Sequence, residues 1–131
     1  MTFYNEQVLK IRDQNFSDDY QIGQIIRAKQ FIDHHYVNKI DLRNISGTSF
    51  FSKFYFIRLF KKYYGRTPYQ YLIEVRIANA KQFLKSGLTS AETCYSVGFD
   101  SIPSFSILFK KITGLTTSDY SKKATFDKNL K

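Results

Sequence analysis

The chain repeats part of its own sequence at a fixed spacing of 49 residues. The phrase Phe-x-x-Leu-Phe-Lys-Lys-x-x-Gly-x-Thr-x-x-x-Tyr begins at Phe56 and begins again at Phe105. The register also holds upstream, where Ser52 is matched by Ser101. A duplicated sequence implies a duplicated structural unit, so the fold has to contain the same local structure twice.

The periodicity inside each copy is that of a helix. Apolar residues recur at three- and four-residue spacing, a Ser precedes them as a typical N-cap, and a Gly follows as a typical left-handed stop. The matched residues are Ser52, Phe56, Leu59, Phe60, Tyr63 and Gly65 in the first copy, and Ser101, Phe105, Leu108, Phe109, Ile112 and Gly114 in the second. The pattern predicts one amphipathic helix in each copy, with its apolar residues facing inward.

Start and stop signals elsewhere predict five more helices. The first of these helices carries the stripe Ile22, Ile25, Ile26, Lys29, Ile32 and Tyr36, and it is followed by a short helix that is capped by Asp41 and carries Leu42 and Ile45. A long helix then begins at Thr67-Pro68 and ends at Ser86-Gly87. The last two are a short helix with the capping box Thr89 and Glu92, which ends at Gly98, and a short final helix with Tyr120. A short helix, a tight turn and a repeat helix form a helix-turn-helix, and this arrangement is predicted twice.

The predicted fold class is therefore all-α, a seven-helix domain with two helix-turn-helix units joined by a long central helix. Residues 1–21 are predicted to be an N-terminal extension or linker, and residues 124–131 a C-terminal tail. The domain between them, 22–123, divides into a first unit at about 22–66, a linker helix at about 67–86 and a second unit at about 88–123.

The formal net charge of +9 at pH 7 favours a polyanionic partner, either nucleic acid or an anionic membrane surface. Two basic helices at a fixed spacing suit a long partner with a repeat of its own, so double-stranded DNA is the first candidate.

Two alternatives stay open. One is a basic amphipathic peripheral membrane protein, although a membrane imposes no fixed spacing. The other is a protein-interaction module, whose basic residues need not share one face.

The sequence gives other functional classes little support. Cys94 is the single cysteine, so no intramolecular disulfide can form, and a cytoplasmic location is expected. No apolar run approaches the roughly 18 residues of a membrane span, and the N-terminus lacks a signal-peptide pattern. His34 and His35 are adjacent and would point in different directions on a helix, which suits one metal poorly. Without a glycine-rich phosphate loop, a Cys/His cluster or paired carboxylates, we expect no enzymatic activity, metal or cofactor.

The motifs of both copies resemble those of AraC/XylS-type transcription regulators. The shared residues are Val97-Gly98-Phe99, 105–114 and Ser118-Asp119-Tyr120 in the second copy, and Asp41-Leu42, Ser52, Tyr55, Arg58-Leu59-Phe60-Lys61-Lys62, Gly65 and Thr67-Pro68 in the first. The resemblance extends over about Ile22 to Lys123. It implies a seven-helix domain in which the helices after Ser52 and Ser101 enter successive major grooves on one face of DNA.

Carried over residue by residue, the groove-facing positions of the family fall on the two repeat helices. They are Lys53, Phe54, Ile57, Arg58 and Lys61 in the first, and Ser101, Ile102, Pro103, Ser106, Ile107 and Lys110 in the second. The pairs Lys61-Lys62 and Lys110-Lys111 are predicted to contact phosphates, although lysines at a helix C-terminus also suit the helix dipole. Arg76, Lys81 and Lys85 on the long helix are expected to form a solvated face.

One matched position separates the two helices. Arg58 can pair with the two acceptors of a guanine. Ile107, where the family usually has Arg, offers no hydrogen-bond donor, and Ile102 and Pro103 replace residues that are usually polar. We therefore expect hydrogen-bonded base discrimination to concentrate in the first unit, with the second unit as an electrostatic and shape anchor.

The resemblance also implies a transcription regulator that activates, with RNA polymerase as a second candidate partner. The chain has no room for the sensory domain of larger family members. It is therefore expected to be either an excised C-terminal domain or a small regulator controlled by its own abundance.

Overall fold

The computed structural model describes residues 18–41 and 52–129 of the 131-residue chain. Within those residues the backbone forms six helices and no strand. The helices are α1 (Asp18–His35), α2 (Lys53–Tyr64), α3 (Pro68–Lys85), α4 (Ser90–Ser96), α5 (Ile102–Thr113) and α6 (Thr117–Asn129). The all-α class is confirmed. The predicted short helix with Leu42 and Ile45 lies outside the described residues, so the count of seven helices stays a prediction.

The described residues separate into two compact units, with the boundary inside α3. The first unit contains residues 18–35, 40–41 and 52–71. The second contains residues 72–129 together with the separate segment 36–39. The second unit is therefore not a continuous stretch of sequence.

The core of the first unit forms where α1 packs against α2. Its buried side chains are Gln21, Ile25, Ala28 and Ile32 from α1, and Phe56, Leu59 and Phe60 from α2. The predicted stripe was wrong at Ile22 and Ile26, which are exposed. Gln21 takes an inward place because its side-chain amide donates a 3.0 Å hydrogen bond to the Tyr55 hydroxyl, which satisfies a buried polar group.

Asp33 connects α1 to the start of α3 within the first unit. The Tyr71 hydroxyl donates a 2.5 Å hydrogen bond to Asp33 Oδ1, and Lys29 Nζ lies 2.9 Å from Asp33 Oδ2. Burial, followed by the hydrogen bond to Asp33, raises the pKa of the Tyr71 phenol. The hydrogen bonds to Asp33 and Tyr71 raise the pKa of Lys29. The three side chains form one network on the flank of the core.

The core of the second unit is built from α3, α4 and α5. Its buried members are Ile73, Ile77, Ala80, Leu84, Cys94, Val97, Phe99, Phe105 and Phe109. Cys94 is fully buried, as expected of a small core residue, and burial raises the pKa of its thiol. The capping box at Thr89 and Glu92 is confirmed and begins α4.

Arg76 corrects the prediction of a solvated face on the long helix. Its guanidinium donates hydrogen bonds to the carbonyl oxygens of Tyr36 at 2.8 Å and of Asn38 at 3.0 Å, and it lies 5.5 Å from the ring centre of Phe99. Gly98 is close by, with φ of 101°, and a Cβ there would lie 2.6 Å from the Tyr36 carbonyl oxygen. Arg76 thus holds the segment 36–39 against the turn between α4 and α5.

Two further predictions differ from the structure near the C-terminus. α6 extends to Asn129 and includes most of the predicted tail, because no Gly or Pro interrupts residues 117–129. Ile112 was predicted to face inward but is 45% exposed. It lies in the last turn of α5, beyond Phe109, which is the last buried residue of that helix.

Candidate nucleic-acid interface

α2 and α5 are each 12 residues long and begin in the same way. The Ser52 hydroxyl accepts a 3.2 Å hydrogen bond from the Tyr55 amide, and the Ser101 hydroxyl accepts a 3.3 Å hydrogen bond from the Ser104 amide. Each serine satisfies one of the amides that a helix leaves unpaired in its first turn. The two predicted N-caps are confirmed.

The C-terminal ends of α2 and α5 also match. Gly65 and Gly114 have φ of 70° and 83°. This left-handed conformation is unfavourable for residues that have a Cβ atom. Their amides donate to the carbonyl oxygens of Lys61 and Lys110, at 2.7 Å and 2.8 Å respectively. The lysine pairs therefore lie in the last turn of each helix, beside carbonyl groups that favour positive charge.

The inward faces repeat as well. In each helix the two phenylalanine rings contact one another at a tilt, and the second ring contacts a tyrosine from the following helix. The ring-centre distances are 6.1 Å for Phe56–Phe60 and 6.0 Å for Phe60–Tyr71, against 5.8 Å for Phe105–Phe109 and 5.5 Å for Phe109–Tyr120. These rings fix the rotation of each helix about its axis, and so fix which side chains face outward.

Arg58 and Ile107 occupy the centres of the two outward faces. At about 100° per residue, a position midway between the two phenylalanines points away from the core. Arg58 is exposed, and its guanidinium lies 5.8 Å from the Tyr55 ring centre. Ile107 is 68% exposed. The same scaffold thus presents a cation in one copy and an aliphatic side chain in the other.

The sequence comparisons identify this scaffold. The helix-turn-helix domain model of AraC-type regulators matches residues 46–123. The chain belongs to the AraC-type family.

The curated relatives of this chain include longer proteins. The MmsAB operon regulatory protein of Pseudomonas aeruginosa is 33% identical over 94 residues, which are 71% of this chain and 31% of that protein. An uncharacterized helix-turn-helix transcriptional regulator of Pseudoalteromonas carrageenovora is 33% identical over 96 residues, 72% of this chain and 57% of that protein. The chain therefore spans between about a third and just over half of the length of these two curated relatives.

A solved structure of the same family has the same fold. The C-terminal domain of AraT, a response regulator from Geobacillus stearothermophilus, matches with a TM-score of 0.72 at 27% identity. The match covers 76% of this chain and 84% of that domain.

On this AraC-type scaffold, most of the predicted site residues lie on the outward faces of α2 and α5. The exposed ones are Lys53, Phe54, Arg58, Lys61, Lys62, Pro103, Ile107, Lys110 and Lys111. Ile57 and Ser106 are half-buried at the edges of those faces. Ser101 lies at the N-terminus of α5, where its hydroxyl is engaged as the cap. Ile102 packs against the core of the second unit and belongs to that packing rather than to the outward face.

The structure adds two residues that the sequence analysis did not select. Thr116 lines a shallow, open groove on α5 together with Ser106, Ile107, Lys110 and Lys111. The signal for Thr116 was present, because it is a member of the repeated phrase. Tyr55 lies beside Arg58 and accepts the hydrogen bond from Gln21. Its matched residue is Ser104, so the repeat gave no signal for it.

No helix in the described part of the chain is both long and apolar enough to cross a membrane. In residues 18–41 and 52–129, no three His, Cys, Asp or Glu side chains come together as a metal-binding group.

Proposed function

We propose that this chain is the DNA-binding part of a transcription regulator and reads a specific duplex sequence with the outward faces of α2 and α5. The observation that carries the proposal is the pair of matched helices, capped at both ends, whose outward residues take no part in the core. An α-helix of this kind fits the major groove of B-form DNA, where each base pair shows its own pattern of donors and acceptors.

The outward face of α2 supplies both polar and apolar contacts. Arg58 has five donors in a planar fork and can pair with O6 and N7 of a guanine. Phe54 is 69% exposed and lies one turn before Arg58, where it can make only apolar contacts. Arg58 is exposed, and its guanidinium lies 5.8 Å from the centre of the Tyr55 ring.

Phosphate contacts fall to the lysine pairs at the ends of both helices. Lys61, Lys62, Lys110 and Lys111 are all exposed. Neutralising phosphates releases counterions, which gives sequence-independent affinity that falls steeply with salt. The net charge of +9 supports this role.

The two helices are proposed to enter successive major grooves, about 34 Å apart along one face of the DNA. Activation is the proposed direction of regulation, with RNA polymerase as a protein partner and the cytoplasm as the location. The direction of regulation and the polymerase partner rest on the resemblance to AraC-type regulators, and the location rests on the single cysteine, Cys94.

Selection from a random duplex pool, followed by footprinting of the selected site, tests the proposal. We expect one preferred sequence and protection of two adjacent major grooves by a monomer. Equal affinity for all duplexes would contradict sequence-specific binding. Protection of a single groove, or a requirement for a dimer, would contradict the two-groove arrangement. Anionic vesicles at the same salt concentration are the control, because a membrane-binding module would prefer them to the DNA.

A further inference from the structure

Ile107 is a large aliphatic residue in a place where folding requires none. It is 68% exposed and lies on the side of α5 opposite Phe105 and Phe109. A single exposed apolar side chain is common on protein surfaces and by itself indicates nothing. The position of Ile107 is what matters, because it corresponds to Arg58 in the first copy and is the central outward residue of α5.

The surroundings of Ile107 are basic and hydroxylic. It shares a shallow groove with Ser106, Lys110, Lys111 and Thr116. The two lysines are exposed and can hold a phosphate backbone against this face. The partner that fits is therefore an anionic polymer that brings an apolar group to the centre of the face.

Duplex DNA has one such group in its major groove. The edges of guanine, adenine and cytosine present donors and acceptors there, whereas thymine adds a C5-methyl group. An isoleucine side chain can bury that methyl but cannot satisfy a donor or an acceptor. Opposite any other base, Ile107 would strip water from polar atoms without replacing their hydrogen bonds.

We propose that Ile107 is a specificity-determining residue and that it reads thymine through the C5-methyl group. This inference rests on the proposed DNA-binding function and deepens it. The second unit does more than anchor the protein: it selects sequence by apolar contact, while the first unit selects by hydrogen bonding. The half-site beneath α5 contains at least one thymine whose methyl group contributes to affinity.

Replacement of single thymines by deoxyuridine tests the inference, because uracil keeps the base pairing and lacks only the methyl group. The full chain is titrated with the selected duplex and with a set of duplexes that each carry one such replacement. We expect one or two positions in one half-site to weaken binding by about threefold to fourfold each, the loss associated with one buried carbon. In Ile107→Ala, the same replacements should have no effect, and affinity for the unmodified duplex should fall at least as much as those replacements together lower it in the parent chain.

Ile112→Ala is the matched control, since Ile112 is an exposed isoleucine of the same helix that lies on a different side from Ile107. It should retain the full sensitivity to deoxyuridine. Thymines read by α2, through Phe54 for example, should stay sensitive in Ile107→Ala and serve as an internal control. Both substitutions are at exposed positions, and thermal unfolding of the free proteins will verify that they fold.

The outcomes separate the inference from the function on which it rests. If a preferred duplex is found and no deoxyuridine effect depends on Ile107, the inference is wrong and the proposed function stands. The groove would then be available to another protein as its partner. If no preferred duplex is found, both fail.

Discussion

α2 and α5 present the same side to their cores and different sides to solvent. A Ser N-cap, a Gly C-cap and a cluster of two phenylalanines and a tyrosine recur at equivalent places in both helices. The outward centre is Arg58 in one helix and Ile107 in the other. In each helix, the residues that pack in the core and the residues that face outward lie on different faces. The outward residues can therefore change while the core residues are kept.

The two copies also differ in the support behind the helix. The Tyr71 hydroxyl donates a hydrogen bond to Asp33. Tyr120 occupies the matched place and also contacts the second phenylalanine of its helix, but within the described residues it has no counterpart of the Asp33 hydrogen bond. Among the described residues, the first copy is therefore joined to a neighbouring helix by a polar contact that has no equivalent in the second copy.

The largest effect is expected from truncating the phenylalanines that the copies share. Phe60→Ala and Phe109→Ala should each lower the free energy of unfolding by about 3–5 kcal/mol, because both side chains are fully buried. Urea unfolding followed by circular dichroism gives the values. Phe54→Ala, at an exposed position, is the control and should change stability by less than about 0.5 kcal/mol. A loss in one copy of less than half that in the other would mean that the two cores are not equivalent.

Arg58→Ala should have the next largest effect, on binding rather than on stability. We expect a loss of about 1–3 kcal/mol on the preferred duplex and relaxed discrimination at one or two base positions, because the bidentate donor is removed. A base-by-base affinity matrix measures both quantities. A uniform loss on all duplexes would assign Arg58 to phosphate contact instead.

Ile107→Arg should make the two outward faces more alike. The new guanidinium can pair with a guanine, so the half-site beneath α5 should gain a guanine preference of up to about 1–3 kcal/mol. The same affinity matrix, compared with that of the parent chain, detects the change. If the preference for thymine at that half-site is unaltered, α5 is rotated in the groove relative to the orientation proposed here.

The variants Tyr71→Phe and Tyr120→Phe test whether the hydrogen bond to Asp33 makes the first copy more stable. The first should destabilise by about 1 kcal/mol, because it removes a hydrogen bond to a partly exposed carboxylate, and the second should be close to neutral. Folding raises the pKa of Tyr71. The contribution of Tyr71 to the free energy of unfolding is therefore fully present below the pKa of an unfolded tyrosine, about 10, and declines as pH rises through the folded pKa. Equal losses at neutral pH would remove this distinction between the copies.

Lys62→Ala and Lys111→Ala should have the smallest effects, and the effects should match. Each should weaken binding similarly on all duplexes and reduce the slope of log K against log salt by up to about 1. Titrations at several salt concentrations provide the slope. An unchanged slope in one variant only would show that the two lysine pairs have different roles.

Much of the fold could be predicted because its signals are local. The caps at Ser52, Ser101 and Gly114 depend on residues within one turn of the chain, and the structure confirms them. Two errors arose where residues distant in the sequence determine the contacts. Gln21 is buried in preference to Ile22 because Tyr55, 34 residues away, accepts its hydrogen bond. Arg76 has a structural role because its carbonyl partners lie 38 and 40 residues before it.

The candidate site was predictable in part for the same reason. Helical periodicity places Arg58 and Ile107 on the outward faces, as the structure does. Ile102 was assigned to the outward face by the family resemblance, but its spacing three residues before Phe105 and seven before Phe109 puts it on the inward face. The structure shows Ile102 against the core. The DNA contacts themselves stay predictions.

The discontinuous second unit limits how this protein can be cut and recombined. A fragment that began at residue 72 would carry α4, α5 and α6 but leave the segment 36–39 behind. Arg76 would then lose the carbonyl oxygens of Tyr36 and Asn38 as acceptors, and the turn at Gly98 would be uncovered on the side where Tyr36 now lies. The second copy of the repeat is therefore not a self-contained structural unit. A graft of the second helix-turn-helix into another protein has to bring those four residues with it, or replace them.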